Sequence, residues 1–116
     1  MLTFGPTLGP LTQVSEIRTI AADRLWMSPQ YGQDMAAIHF TWKPQQEEVE
    51  QALVDVERAL APFEARPHWG KLFRMEAESI GRLYARRDDF AALLTRVDKR
   101  GAFRNEWLEK RVLGSG

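Results

Sequence analysis

No cysteine occurs among the 116 residues, which excludes disulfides and thiolate chemistry, leaves the compartment open and tilts the expectation towards the cytoplasm. Neither sign of charge prevails: Lys plus Arg and Asp plus Glu number 16 each. There is accordingly no basic footprint for nucleic acid and no acidic solvating tail. No apolar run approaches the length of a membrane span, and Met1-Leu2-Thr3-Phe4 lacks the charged start and long apolar stretch of a signal peptide. A Gly-rich phosphate loop, a Cys/His metal array and a Ser/His/Asp triad are missing as well, so no motif by itself names a reaction or a metal. What is present is a chain of single-domain length, able to bury one sizeable core, with a mixed strand and helix pattern of the α+β class.

The chemically densest run is Arg66-Pro67-His68-Trp69-Gly70-Lys71. Pro67 restricts the backbone and Gly70 leaves room for close approach just ahead of Lys71, so the backbone itself places the lysine. That reads as a site loop. The same residues also describe a tight turn in which Trp69 plugs a core and Lys71 sits in water.

Upstream, prolines and glycines punctuate Gly5-Pro6-Thr7-Leu8-Gly9-Pro10, a pattern that sustains neither helix nor strand and marks residues 1–12 as a lead-in or linker. From Gln13 to Ile20 the chain is rich in β-branched residues, and period-2 alternation puts Val14, Glu16, Arg18 and Ile20 on one face of a strand. Residues 21–36 form a long connection with Trp26 and Tyr31 as buried anchors. Ala37 to Lys43 alternates more cleanly, with Ile38, Phe40 and Trp42 opposed to His39, Thr41 and Lys43. Antiparallel pairing of the two strands gathers Glu16, Arg18, His39 and Thr41 on one side of a sheet. Four convergent polar groups are a stronger site signal than any one of them.

A helix over 46–60, with Val49, Ala52, Leu53, Val56, Ala59 and Leu60 at helical spacing, is expected to cover the apolar face of Ile38, Phe40 and Trp42, and Pro62 stops it. A short helix follows near 76–84 and a longer one over 89–97, N-capped by Asp88 or Asp89 with Phe90, Leu93, Leu94 and Val97 inward. Arg82, Arg86 and Arg87 form a small basic group that reads as solvated surface. Asp98 to Asn105 reads as a helix exit with Gly101 in a turn, then an extended piece whose Phe103 and Asn105 share a side. A short amphipathic end spans 106–113.

Several blocks in this order carry a resemblance: Val14 to Asp23, Leu25-Trp26-Met27-Ser28-Pro29, His39-Phe40-Thr41-Trp42, Leu60-Ala61-Pro62-Phe63, Ala65 to Lys71, and Asp98, Gly101, Phe103 and Asn105. Together they resemble the C-terminal part of bacterial alditol (xylitol) oxidases, FAD-linked sugar-alcohol oxidases of the vanillyl-alcohol-oxidase type, close to the aldonolactone oxidases. The likeness runs over nearly the whole chain after about Pro10. It implies a flavoprotein whose N-terminal domain holds FAD, usually by a covalent histidyl link, and whose C-terminal cap supplies much of the polyol site. Residues 13–97 are then part of the cap or substrate domain, and 98–116 a tail that returns to the FAD domain. That FAD domain, its attachment histidine and the first cap strands are expected to lie outside the 116 residues, leaving the isolated chain inactive.

On matching positions, the resemblance implies that Glu16, Arg18, Thr41 and Lys71 contact substrate hydroxyls with His39 beside them, and that Lys71, Phe103 and Asn105 face the cofactor. The implied reaction oxidises the terminal hydroxyl of an alditol such as xylitol or sorbitol with oxygen, giving aldose and peroxide. Lys71 and Arg18 suit the stabilisation of alkoxide-like charge. An imidazole ordinarily titrates near neutrality, which makes His39 the candidate proton acceptor. A non-catalytic reading stands beside this one: a small α+β interaction module that self-associates through an unpaired edge strand.

Overall fold

β-Branched residues at alternating positions set up two strands, β1 (Thr12–Ile20) and β2 (Met35–Trp42), which pair antiparallel into a two-stranded ribbon. The computed structural model describes residues 5–114; the Met1–Phe4 start discussed above lies outside them. The register aligns Val14 with Thr41, Glu16 with His39, Ile17 with Ile38 and Arg18 with Ala37, after one irregularity between Thr12 and Val14. Partners across an antiparallel pair share a face. Glu16, Arg18, His39 and Thr41 therefore lie on one side of the ribbon, as the alternation predicts. Ile17, Ile38, Phe40 and Trp42 lie on the other, where the Phe40 and Trp42 rings sit 5.1 Å apart.

Helices surround the ribbon only in part. The stretch Gly5–Leu8, expected to be non-helical, forms one short turn, α1, closed by Gly9 N donating to Gly5 O at 2.9 Å. A single turn at a chain lead-in tolerates Pro6, since the first helical amides have no intrahelical acceptor. A Cβ on Gly9 would lie 2.8 Å from Gly5 O, so the closure needs the glycine. Leu11 follows and is buried, joining Val49, Ala52 and Leu53 in a core against which Leu8 and Trp42 also pack.

That core is carried by α2 (Gln46–Leu60), whose buried stripe Val49, Ala52, Leu53, Val56 follows the helical repeat, with Glu47 and Glu48 in its first turn. Full burial of a Val or Leu side chain contributes about 1.5–3 kcal/mol, so these few positions dominate local stability. The expected cover over the apolar sheet face is corrected. The helix starts just after Trp42 and reaches only that end of the ribbon, leaving Ile38 42 % and Ile17 70 % exposed. A 3₁₀ turn through Ala61–Phe63 ends α2, and Glu64 takes the left-handed conformation at φ 52°.

The second half is built from α3 (Ala77–Leu83), α4 (Arg87–Val97) and a C-terminal turn, α5 (Glu106–Leu108), continued as a wider π turn over Glu109–Leu113. Ile80, Tyr84, Leu94 and Val112 are buried. Gly81 faces Arg87 so closely that a Cβ would lie 2.7 Å from its guanidinium, which leaves Arg87 free to donate to Leu113 O at 3.3 Å. Three local expectations are revised. Asp88 and Asp89 lie in the first turn of α4, and the N-cap position belongs to Arg86, with no side-chain cap bond. Val97 is 66 % exposed, Phe90 and Leu93 are half-buried, and Leu94 is the buried member of the stripe. Gly101 sits in a turn as expected, with φ 69°, but the piece after it is not extended from the start: the buried Asp98 carboxylate accepts from Ala102 N and Phe103 N and holds residues 102–103 in a turn.

The basic group dissolves into surface ion pairs, Arg82 with Glu78, Arg86 with Asp89 and Arg87 with Asp88. Such pairs contribute little each. Among the described residues, no helix is long and apolar enough to cross a membrane.

Candidate functional site

On the polar face of the ribbon, Glu16 is the hub. Its carboxylate accepts from Arg18 Nη2 at 2.7 Å and meets His39 Nδ1 at 3.3 Å. His39 arrives from the opposite strand through direct cross-strand pairing, and Arg18 from two residues along the same strand, so both contacts follow from β periodicity. Thr41 shares the face, opposite Val14, with its hydroxyl free among the described hydrogen bonds. The result is an acceptor flanked by two donors beside a hydroxyl, an arrangement able to hold vicinal hydroxyl groups.

The hydrogen bond from His39, then that from Arg18 and the Arg18 charge, hold the Glu16 carboxyl below its ordinary value of 4.5. A depressed acid contributes stability above its unfolded-state value and loses it as pH falls through the lowered native value. The contribution is thus fully present at neutral pH and disappears in acid. In His39→Ala, the Glu16 midpoint followed by ¹³C NMR is expected to rise towards the ordinary value; an unchanged midpoint would mean that Arg18 alone holds it.

The Arg66–Lys71 loop forms the tight turn of the second reading, with Trp69 plugging a core and Lys71 exposed. His68 closes a turn: its carbonyl accepts from Lys71 N at 3.0 Å and its Nδ1 from Gly70 N at 3.0 Å. The Lys71 side chain is exposed. Trp69 plugs an aromatic cluster, with ring centroids 4.7 Å from Tyr84, 6.0 Å from Trp107 and 6.1 Å from Phe73. Burial pushes the Tyr84 phenol well above its ordinary value, so it remains a proton donor, to Pro67 O at 3.1 Å.

Behind this loop stands the tip of the ribbon, residues 21–34, a more ordered piece than a long connection suggests. Asp23 accepts from Leu25 N and Ser28 Oγ, Gly32 N returns to Asp23 O, and Ala22 N donates to Asp34. Trp26 and Tyr31 are half-buried, and Trp26 carries the Arg86 guanidinium 4.5 Å above its ring. Arg66 donates to Pro29 O and Tyr31 O, and Trp69 Nε1 to Met27 O at 2.6 Å. These contacts between residues 66–69 and the tip had no counterpart in the sequence reading. The only local hint was an arginine and a tryptophan, both strong donors, flanking Pro67 and His68.

The structure thus brings Glu16, Arg18, His39 and Thr41 together on one face. Lys71 is apart: no hydrogen bond among the described residues links it to that set, and it lines a cavity of about 200 Å³ with Glu50, Arg74, Trp107 and Arg111. Phe103 projects at 80 % exposure, available to a partner surface. Asn105 is partly committed, since its Oδ1 caps α5 by accepting from Leu108 N at 2.8 Å. Trp107 inserts into the aromatic cluster, so the tail also packs on its own chain.

Comparison with known proteins bears on all of this. The chain is 41 % identical over 102 residues to an alditol oxidase of Streptomyces sp., covering 88 % of this chain and 25 % of that protein. It is 33 % identical over 107 residues to L-gulono-1,4-lactone dehydrogenase of Mycobacterium tuberculosis, covering 90 % of this chain and 24 % of the relative. With L-gulonolactone oxidase of Scyliorhinus torazame the identity is 30 % over 98 residues, covering 82 % and 22 %. The chain therefore spans about a quarter of the length of these relatives. The D-arabinono-1,4-lactone oxidase family model matches residues 14–111, from the first site strand through the C-terminal turn, and the chain belongs to that family of oxidoreductases.

Proposed function

We propose that this chain is the substrate-binding part of an FAD-dependent oxidase that converts the terminal hydroxyl of alditols such as xylitol or sorbitol to the aldehyde, reducing oxygen to peroxide. The observation that carries the reading is Glu16 held between Arg18 and His39 on the open ribbon face, a hydroxyl-binding arrangement, in a chain that is 41 % identical to an alditol oxidase. FAD, when bound, supplies the two-electron oxidation of the carbinol. The residues available to it here are the exposed Lys71 and Phe103 and the amide nitrogen of Asn105, whose oxygen is occupied. Most of the cofactor contact belongs to a flavin-binding portion that is the partner of these residues. On this reading the 116 residues alone do not turn over polyol, and the protein works in the cytoplasm.

Within the site, Glu16 and Thr41 bind and orient hydroxyl groups, while His39 and then Arg18 hold the Glu16 carboxylate in its ionised form and Arg18 adds positive charge. His39 takes the hydroxyl proton on an imidazole nitrogen, while the Lys71 ammonium stabilises the alkoxide-like oxygen as charge develops. The test is a chimera in which residues 14–111 replace the matching quarter of the Streptomyces alditol oxidase. It is expected to bind FAD and to release peroxide from xylitol. A flavin-loaded chimera that makes no peroxide from any alditol sinks the reading.

A further inference from the structure

Arg66 has no role in the chemistry just described, yet it joins three separate parts of the molecule. Its Nη1 donates to two carbonyls of the ribbon tip, Pro29 O at 3.1 Å and Tyr31 O at 3.0 Å. Its guanidinium carbon lies 5.6 Å from the centroid of the buried Tyr84 ring, within cation–π range. Tyr84 in turn donates to Pro67 O, the next residue of Arg66's own loop.

We infer that Arg66 is a positioning residue that sets the Lys71 loop in register with the polar face of the ribbon. The inference rests on the oxidase reading above. On one side of Arg66 the tip is internally pinned through Asp23 and continues directly into β1, which carries Glu16 and Arg18, and β2, which carries His39 and Thr41. On the other side, the His68 turn closes onto Lys71 within five residues, so a displacement at Arg66 is passed to the lysine. Trp69 adds a further bond to the tip, but its ring is also central to the aromatic cluster. Arg66 is therefore the residue whose change separates placement from packing. Arg66 donates from one guanidinium nitrogen to two carbonyls while its delocalised cation lies over an aromatic ring, whereas the ammonium of lysine, a compact point charge on a flexible stem, can reach a carbonyl but does not offer the same group to the ring.

The test uses the flavin-loaded chimera and, separately, the 116-residue chain. In the chimera, Arg66→Met is expected to lower kcat for xylitol roughly ten- to a hundredfold, the scale of an ångström-level misplacement, with KM changed far less. Arg66→Lys should recover only part of the loss. The deciding measurement is the same substitution in a Lys71→Met background, where Arg66→Met should change kcat by less than about twofold, since the group it positions is gone. Equal losses in both backgrounds overturn the positioning role and leave Arg66 merely structural. In the 116-residue chain, Arg66→Met should speed amide exchange at Gly70, Lys71 and Gly32 while sparing Val49 to Val56 of α2. Exchange that is unchanged, or faster everywhere alike, also overturns it. A chimera inactive with Arg66 intact counts against the oxidase reading, whereas an active chimera indifferent to Arg66 counts against this inference alone.

Discussion

Lys71→Met, placed in a flavin-loaded chimera that oxidises xylitol, is expected to lower kcat by roughly two to three orders of magnitude, the scale seen when one oxyanion-type donor is lost. Methionine keeps the approximate length of the side chain and removes its charge. If the ammonium acts on charge that develops only in the transition state, the loss falls on kcat more than on KM. Lys71 carries an exposed side chain on a turn fixed by two bonds to His68, so its position is set while its charge is available. Lys71→Arg is expected to rescue in part, because a guanidinium brings charge with a different shape. A kcat within about twofold of the parent would make Lys71 a solvated turn residue, and its assignment to the site would fall. Because no described hydrogen bond ties Lys71 to the Glu16 cluster, this is the sharper of the site tests.

Trp69→Ala is expected to destabilise the chain by about 3 kcal/mol, at the lower end for removing a large aromatic from a packed setting, because the residue is only half-buried. The ring contacts Tyr84, Phe73 and Trp107, and its Nε1 supplies the donor for Met27 O. Substitution therefore opens a void among three aromatic rings and leaves a carbonyl unpaired. Trp69→Phe retains most of the packing and loses the hydrogen bond, so its cost should be nearer 1 kcal/mol. Urea unfolding followed by far-ultraviolet circular dichroism measures both. A loss below about 1 kcal/mol for the alanine variant would show that neither the cluster nor the bond to Met27 O contributes appreciably to the stability of the fold.

The parts of the fold legible in the sequence are those governed by short periods. Alternation over Gln13–Ile20 and Ala37–Lys43 identified the faces that Glu16, Arg18, His39 and Thr41 occupy, and the 3.6-residue stripe from Val49 to Val56 located α2 with both of its bounds. Periodicity says which side of an element is apolar but not how far a neighbour reaches across it. That is why Ile38, apolar and correctly faced, turns out uncovered, together with Ile17 paired opposite it. Caps misled for a related reason. Asp88 and Asp89 satisfy the preference of the first turn for acidic residues as well as they would serve as caps, and α4 takes the former option, with Arg86 at the cap position. The bonds from Arg66 and Trp69 to the tip were invisible because backbone carbonyls leave no mark in residue type. Any sequence offers a carbonyl at every position, and only the folded tip turns those of Met27, Pro29 and Tyr31 towards one loop.

The order of the chain adds a temporal side to this arrangement. The bonds from Arg66 to Tyr31 and Pro29 and from Trp69 to Met27 span 35, 37 and 42 positions. Because synthesis runs from the N-terminus at about 5–20 residues per second, the two strands leave the ribosome seconds before the side chains that fasten their connecting loop. During that interval the three carbonyls lack the donors of Arg66 and Trp69, and closing the gap costs more chain entropy than any turn within it. A nascent chain that stalls before Arg66 thus holds both strands and lacks the donors that fasten their tip.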